Sequence, residues 1–474
     1  MSPNIVLCSA FINNDYTFSK YYHKLPTLGI GYLAAVLEKN GYRNVSIIDR
    51  TLHVNESDGL LADILKKNPD IVGFYSVSEN YKFVSEMFRR IKEARPSVIT
   101  VLGGPHVYGM PEAALKPDWI DLGVNGEGEL SLLKLVQSNF DRTLYPTIPG
   151  LIYKEDGQVK TNPIVLIHNL DEIPFPARHL YPPLNRYMPS IITYRRLPAT
   201  GMLTSRGCNS RCTFCHSGKG EFGLRFHSPE YVIEEIKHLQ KDFGVREFFV
   251  FDDTFVANKA RAMKICEEII RNNLNISWSC NAKVTYLSDD LLRLMRRSGC
   301  WLLQVGVESG NQRILNTMKK GITLEQVERA CKAAYNLGFH IKTFFIIGNA
   351  GETVETLDDT IRFMISLPVH YSSVNLMTPL PGTEMWDSVE KYGAFDKERI
   401  EAINYLSDKP AFVPHGLTEE ILLKKFREAY LRFYLSPSTV MRNLKVLKNF
   451  DDLRRFTKAS FLLSKLLISK LKAA

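Results

Sequence analysis

Residues 202–215 read Met202-Leu203-Thr204-Ser205-Arg206-Gly207-Cys208-Asn209-Ser210-Arg211-Cys212-Thr213-Phe214-Cys215, a short apolar strand pattern that runs into three thiols at spacings of four and three. Thiolates are the ligands of iron–sulfur clusters and of zinc. A structural zinc closes its shell with four protein ligands, and no fourth Cys stands at ligand spacing, so zinc would have to recruit His216 or a distant residue. A cubane cluster held by three thiolates leaves one iron open for a substrate or cofactor. Arg206 and Arg211 are candidates to offset the negative charge of such a cluster, and solvated surface arginines are the plain alternative.

Outward from this loop, strand and helix patterns alternate over 200–390. The strands are expected at Met202 to Ser205, Glu247 to Phe251, Ile276 to Asn281, Trp301 to Val307, His340 to Ile347 and Ser373 to Met377, each but the last followed by helical periodicity. Eight such units close a full barrel. The shorter run predicts an open, partial (βα)6 barrel. Upstream, residues 1–140 alternate in the same way, with strands at Asn4 to Phe11, Asn44 to Asp49, Asp70 to Ser78, Ser97 to Gly103 and Trp119 to Val124. Helices around Leu28 to Asn40, Gly59 to Lys67, Tyr81 to Ala94 and Glu129 to Asn139 complete an α/β, doubly wound, Rossmann-like sheet. Such sheets bind ligands beyond the carboxyl ends of their strands. Three of those ends carry small residues, at Ser76 and Ser78, at Gly103-Gly104-Pro105-His106 and at Gly126-Glu127-Gly128-Glu129. Because no Gly-x-Gly-x-x-Gly follows the first strand, a dinucleotide ligand is disfavoured. Between the two regions, 141–199 is rich in Pro and reads as a connector with one hairpin, Leu151 to Val159, turning at Asp156-Gly157. Residues 391–474 read as a helical extension.

The whole chain sets outer limits on function. With 474 residues, 45% hydrophobic and 23% charged, it can build two or three cored domains, and disorder is excluded. No apolar run reaches the roughly 18 residues of a spanning helix, and the N-terminus lacks the layout of a signal peptide, so a cytoplasmic location is expected. Eight Cys are too sparse for a disulfide scaffold. The net charge of +9 is localised: residues 440–474 hold nine Lys/Arg against two Asp, which leaves +2 for the rest. Nucleic acid is therefore not an expected partner. Cys8, Cys266, Cys280, Cys300 and Cys331, with His227, His238, His340 and His370, read as structural.

At the cysteine loop the chain resembles the radical S-adenosylmethionine superfamily, whose signature is Cys-x3-Cys-x2-Cys with an aromatic before the last Cys, here Phe214. The resemblance runs in order through Phe251-Asp252-Asp253-Thr254-Phe255, Gly306-Val307-Glu308-Ser309-Gly310, Ile346-Ile347-Gly348-Asn349-Ala350-Gly351-Glu352-Thr353 and Thr378-Pro379-Leu380-Pro381-Gly382-Thr383. It implies that Cys208, Cys212 and Cys215 hold a [4Fe-4S] cluster. S-adenosylmethionine would chelate the open iron and be cleaved by one electron to a 5'-deoxyadenosyl radical. By the same likeness Phe214 lies beside the adenine, the backbone at Ile347 and Gly348 contacts it, and Glu308 faces the cofactor's polar end or forms a structural ion pair. Glu352 is expected to cap the next helix, and Asp252 and Asp253 either cap a helix or reach substrate.

The order of the domains, with Leu25-Pro26-Thr27-Leu28-Gly29-Ile30-Gly31 opening the first helix, resembles the cobalamin-dependent radical enzymes. The edge at Ser76, Gly103, Gly104, Gly126 and Glu127 would then hold cobalamin. The Asp-x-His-x-x-Gly motif that supplies a histidine to cobalt elsewhere is missing, since Thr51 stands two residues after Asp49 where the His would be, and His53 is displaced. No protein histidine is expected on cobalt, and His106 is the residue that would overturn this. The resemblance implies hydrogen abstraction from an unactivated carbon, methyl delivery from methylcobalamin, and a reducing partner such as flavodoxin or ferredoxin. Oxidative ring closure is the alternative within the same architecture. A non-catalytic iron–sulfur or corrinoid sensor is the alternative outside it. Transfer RNA methylthiotransferases resemble the barrel but carry three N-terminal Cys, whereas only Cys8 precedes Cys208 here. The tail from Arg454 to Lys472 combines Leu, Ile and Phe with Lys on a helical period, which suits an anionic membrane surface or packing on the protein itself. A peripheral membrane contact would fit a lipid or other hydrophobic small-molecule substrate.

Overall fold

The computed structural model describes residues 2–10, 24–52, 57–219, 222–402, 409–445 and 457. The chain forms two compact units, one of residues 1–187 with 380–382, the other of 188–379 with 383–474.

In the first unit, β1 (Ile5–Ser9), β2 (Val45–Asp49), β3 (Ile71–Tyr75), β4 (Ile99–Gly103) and β5 (Leu122–Val124) pair in parallel in the order β2-β1-β3-β4-β5. All five residues of β1 are buried, as a parallel strand covered on both faces requires. The covering helices are α1 (Leu28–Lys39), α2 (Ser57–Lys66), α3 (Tyr81–Ala94), the short α4 (Pro105–Gly109) and α5 (Pro111–Leu115), and α6 (Gly128–Gln137). On one face Val84, Phe88 and Ile91 of α3 pack with Ile64 of α2 against Val72, Phe74 and Leu102. Phe88 meets Phe74 edge to face at 5.2 Å. The expected hairpin forms as β6 (Leu151–Glu155) and β7 (Gln158–Thr161), with positive φ at both Asp156 and Gly157 as a tight two-residue turn demands. It pairs antiparallel to β5 and so widens the sheet to seven strands.

In the second unit, β8 (Ala199–Met202) leads into a two-stranded ribbon, β9 (Ser205–Arg206) with β10 (Arg225–Phe226). There follow α7 (Pro229–Phe243), β11 (Glu247–Val250), α8 (Lys259–Arg271), β12 (Ser277–Ala282), α9 (Asp289–Arg297), β13 (Cys300–Glu308), α10 (Gln312–Thr317), α11 (Leu324–Asn336), β14 (His340–Ile347), α12 (Val354–Ser366) and β15 (Tyr371–Leu376). The six long strands are all parallel in the order β15-β14-β13-β12-β11-β8, so the barrel is open, as the strand count predicted. Local sequence sets the helix ends. Ser228 caps α7 ahead of Pro229, and Gly244 takes the left-handed position that ends it.

After the short α13 (Glu384–Ser388), the extension holds α14 (Glu419–Tyr434) and α15 (Pro437–Leu444). The hydroxyls of Tyr430 and Tyr434 on α14 bond the main chain of Val374 and Ser372, satisfying the free edge of β15. An antiparallel ribbon, β16 (Gly393–Phe395) with β17 (Phe412–Pro414), interrupts the region expected to be helical. A side chain at Gly393 would collide with the Val413 carbonyl, so the pairing depends on glycine there. The basic tail at 454–472 lies, apart from Thr457, outside the described residues. No helix among the described residues is long and apolar enough to cross a membrane.

Candidate cofactor site

The cysteine loop is positioned by its neighbours on both sides. Asp252, just beyond β11, is buried and accepts from Thr204 N at 2.6 Å, Thr204 Oγ1 at 2.5 Å and Ser205 N at 3.0 Å. Burial raises its pKa against the pull of these donors. Asp252 thus neither caps a helix nor reaches substrate; it pins the entrance of the loop. Gly207, at φ +82°, lets the chain turn where any side chain would strike the Gly223 carbonyl. Further along, Thr213 N donates to the Met318 carbonyl at 3.0 Å and Met385 N donates to the Thr213 carbonyl at 2.8 Å. Phe214 packs against a cluster that includes Ile314, Met318, Met377 and Met385.

Cys208, Cys212 and Cys215 form no disulfide and lie half-buried on the wall of one cavity of about 250 Å³. Among the described residues, no three His, Cys, Asp or Glu side chains converge as they would round a single metal ion. Phe214, Asp253, Asn281, Lys283, Gln304, Gly306, Glu308, Lys320 and Phe344 share the cavity wall. Asp253 accepts from Ser217 Oγ at 2.9 Å. Ser210 N lies 3.4 Å from the Cys208 sulfur, and Lys283 Nζ donates to Ser210 Oγ at 3.0 Å.

Glu308 has a left-handed backbone, φ +74°, where the register of β13 on β14 shifts. Non-glycine residues held there carry strain, and such strain clusters at functional sites. Its carboxylate is 2.6 Å from Lys320 Nζ, with the two side chains only 9% and 13% exposed. Burial opposes the Lys320 charge, but Glu308 and the nearby Cys212 outweigh it and hold the ammonium above its ordinary range. Burial likewise pushes the Cys212 thiol up, while Lys320 and Lys283 draw it down. The positive charge beside the thiols therefore comes from Lys320 and Lys283. Arg211 is exposed, and Arg206 is not on the cavity wall. Lys320 was not legible as a site residue, because Lys319-Lys320-Gly321 reads as a solvated basic turn. Three unbridged thiols beside two ammonium groups suit an anionic iron–sulfur cluster. The opposed charges of Glu308 and Lys320 suit the amino and carboxylate groups of a methionine derivative.

The turn after β14 is more self-contained than expected. Gly348 N donates to Glu352 Oε2 at 2.5 Å, Asn349 N donates to the same oxygen at 2.9 Å, and Met377 N donates to the Ile347 carbonyl. Ile347 is buried, and Gly348 takes φ +84°. Glu352 does not cap α12; Thr353 does, by accepting from Thr356 N. Burial lifts Glu352 to about 7 even though Asn349 and Gly348 donate to it.

In the first unit, Ser76 is buried and donates to Asn80 Oδ1 at 3.0 Å. Gly104, at φ +106°, is forced by backbone: a Cβ there would lie 2.5 Å from the Ser76 carbonyl oxygen. Gly103 has open space on that side, while a Cβ on Gly126 (φ +89°) would press on Ile164. Glu127 is engaged internally, accepting from Ile167 N at 2.9 Å. His106 is buried, with Nδ1 3.3 Å from Ser78 Oγ and its ring stacked on Tyr81 at 4.0 Å. His53 lies outside the described residues. The edge offers glycine surface and small polar residues, which suit a large planar ligand.

Comparison with known proteins identifies two families in the chain. Residues 202–364 match the Radical SAM superfamily and residues 16–136 match the B12 binding domain. Over 428 residues the chain is 35% identical to "Uncharacterized methyltransferase PH0819" of Pyrococcus horikoshii, covering 88% of this chain and 90% of that protein. The chain belongs to the cobalamin-dependent radical S-adenosylmethionine family. This radical S-adenosylmethionine enzyme accordingly has a [4Fe-4S] cluster, S-adenosylmethionine and cobalamin as its cofactors. It is also 28% identical over 429 residues to the "Anaerobic magnesium-protoporphyrin IX monomethyl ester cyclase" of Rubrivivax gelatinosus, covering 87% of this chain and 74% of that one. Among solved structures it shares its fold with the cobalamin-dependent S-adenosylmethionine radical enzyme OxsB. The TM-score is 0.73 at 19% identity, over 98% of this chain and 72% of OxsB.

Proposed function

We propose that this radical S-adenosylmethionine enzyme methylates an unactivated carbon of a small-molecule substrate with an apolar body. The observation that carries the reading is the cavity on which three unbridged thiols, the Glu308–Lys320 pair and the aromatic walls of Phe214 and Phe344 meet, in a chain that also has a B12-binding domain. When bound, the cofactors supply a hydrogen-abstracting radical and a methyl group. The protein's own residues hold and shield. Cys208, Cys212 and Cys215 bind the cluster; Lys320 and Glu308 orient the amino-acid end of S-adenosylmethionine; Phe214 excludes water beside its adenosyl end. Ile347 and Gly348 offer adenine a van der Waals wall, since the Ile347 carbonyl and the Gly348 N–H are already engaged. Ser76, Gly103, Gly104 and Gly126 form the edge against which cobalamin rests, with Glu127 stiffening it. The reducing partner is a flavodoxin or ferredoxin. A hydrophobic substrate, a lipid among the candidates, follows from the composition of the C-terminal tail, which would also give a peripheral membrane contact.

The test is anaerobic reconstitution with hydroxocobalamin, a low-potential reductant and trideuteromethyl S-adenosylmethionine, in the presence of a lipid and small-molecule extract. Formation of 5'-deoxyadenosine with a product gaining one labelled methyl group is the expected result, and Cys212→Ala should abolish both. Oxidative ring closure is the second reading, motivated by the resemblance to the Rubrivivax cyclase. A product that has lost two hydrogens and gained no label would replace methylation with it.

A further inference from the structure

Strands β13, β14 and β15 carry a row of polar residues on the face that includes the cavity. Gln304 on β13 pairs with Lys342 on β14, which pairs with Tyr371 on β15; one step further along, Phe344 pairs with Ser373, and Ile346 with Asn375. Gln304 and Phe344 are on the cavity wall. Lys342 Nζ lies 4.7 Å from the centre of the Phe344 ring, so the ammonium stands against that wall. Such a cation is normally met by a carboxylate when it is withdrawn from water. Among the described residues no carboxylate forms a salt bridge with Lys342, and burial alone draws its pKa down, to about 8. The side chains of Gln304, Ser373 and Asn375 are half-buried and likewise have no protein hydrogen-bond partner among the described residues.

This combination differs from the Glu308–Lys320 pair, where the two charges answer one another. Among the described residues Lys342 has no counter-ion and stands beside half-buried donors and acceptors that have no protein partner, and a ring face alone does not replace a counter-ion. We propose that the open side of the partial barrel takes a substrate bearing an anionic group, a carboxylate or a phosphoryl group, which is met by Lys342 and hydrogen-bonded by Gln304, Ser373 and Asn375. The proposal rests on the methylase reading for the chemistry but not for the binding. It makes the substrate amphiphilic, with its charged end at Lys342 and its apolar body along Phe344 and Ile346.

The full-length, cluster-loaded protein is treated anaerobically with a limiting amine-acylating reagent, and acylation of Lys342 is followed by peptide mass spectrometry. Benzoate, phenyl phosphate and neutral benzyl alcohol serve as probes at equal concentration. Protection of about threefold or more by either anion, with none from the alcohol, supports the proposal, and the two anions distinguish carboxylate from phosphoryl recognition. Equal protection by all three, or none by any, overturns it. So does full protection by S-adenosylmethionine alone with nothing added by the anions, because Lys342 would then serve the cofactor. Calorimetry gives a second reading. Lys342→Met should lose anion binding and Lys342→Arg should keep it, both at unchanged iron content; retention by the methionine variant refutes the assignment. Failure of methyl transfer on the same preparation would overturn the methylase reading and leave these binding results standing.

Discussion

At the carboxyl edge of the first sheet, several polar groups answer one another: Ser76 bonds Asn80, His106 sits on Ser78 and Tyr81, and Glu127 fastens the backbone of Ile167. At the same edge of the second sheet, three thiols, Gln304 and the Glu308–Lys320 pair open on a cavity. Both edges are built from glycine-rich turns after buried parallel strands. One presents a surface of glycine and small residues on which Ser76, His106 and Glu127 are already engaged, suited to a large ligand held by shape. The other presents reactive and charged groups, suited to a cluster and a zwitterion held by bonds and charge.

The contrast is broken most severely at the ion pair. Lys320→Met leaves Glu308 without its counter-charge in a nearly dry site, which costs about 3–5 kcal/mol. The melting temperature should fall by several degrees, and Lys320→Met combined with Glu308→Gln should recover much of the loss. If the single and double variants melt alike, the pair is not energetically coupled. A middle-sized effect separates two adjacent glycines. Gly104→Ala places a methyl group against the Ser76 carbonyl at positive φ and should cost about 1–3 kcal/mol. Gly103→Ala enters open space, so stability should change by less than about 0.5 kcal/mol while hydroxocobalamin binding weakens. Normal cobalamin affinity in Gly103→Ala would remove that glycine from the binding edge.

The smallest effect is a pH slope from His106. Burial holds its pKa at about 4 against an ordinary 6.5, so the unfolded chain takes up the proton first. Its contribution is complete above about pH 6.5 and is lost as the pH falls toward 4. Denaturant melts of wild type and His106→Gln over this range should differ in slope, with the wild type steeper. The cobalt(II) electron paramagnetic resonance spectrum of the loaded protein should show no axial nitrogen from a protein histidine. Such a nitrogen would turn the first edge from a surface of shape into one of coordination.

Much of this was legible from order alone. The period of the strands and helices is written in apolar spacing, because a parallel strand buried on both faces must be apolar throughout. The cysteine loop was legible because thiols at ligand spacing have few other uses. Lys320 and Lys342 were not. A lysine in a basic turn and a lysine within a strand look like solvated charges until strand pairing shows what each one faces. Asp252 and Glu352 were misread for the same reason: an acid near a helix start resembles a cap, and only the folded turn shows which amides it accepts from. Sequence by itself determined the two α/β units and the open barrel and singled out the three thiols proposed as cluster ligands, since these follow from periodicity and from the chemistry of sulfur. Tertiary structure alone decided which charges are answered and which glycines face backbone or space, because those depend on distances between residues far apart in the chain.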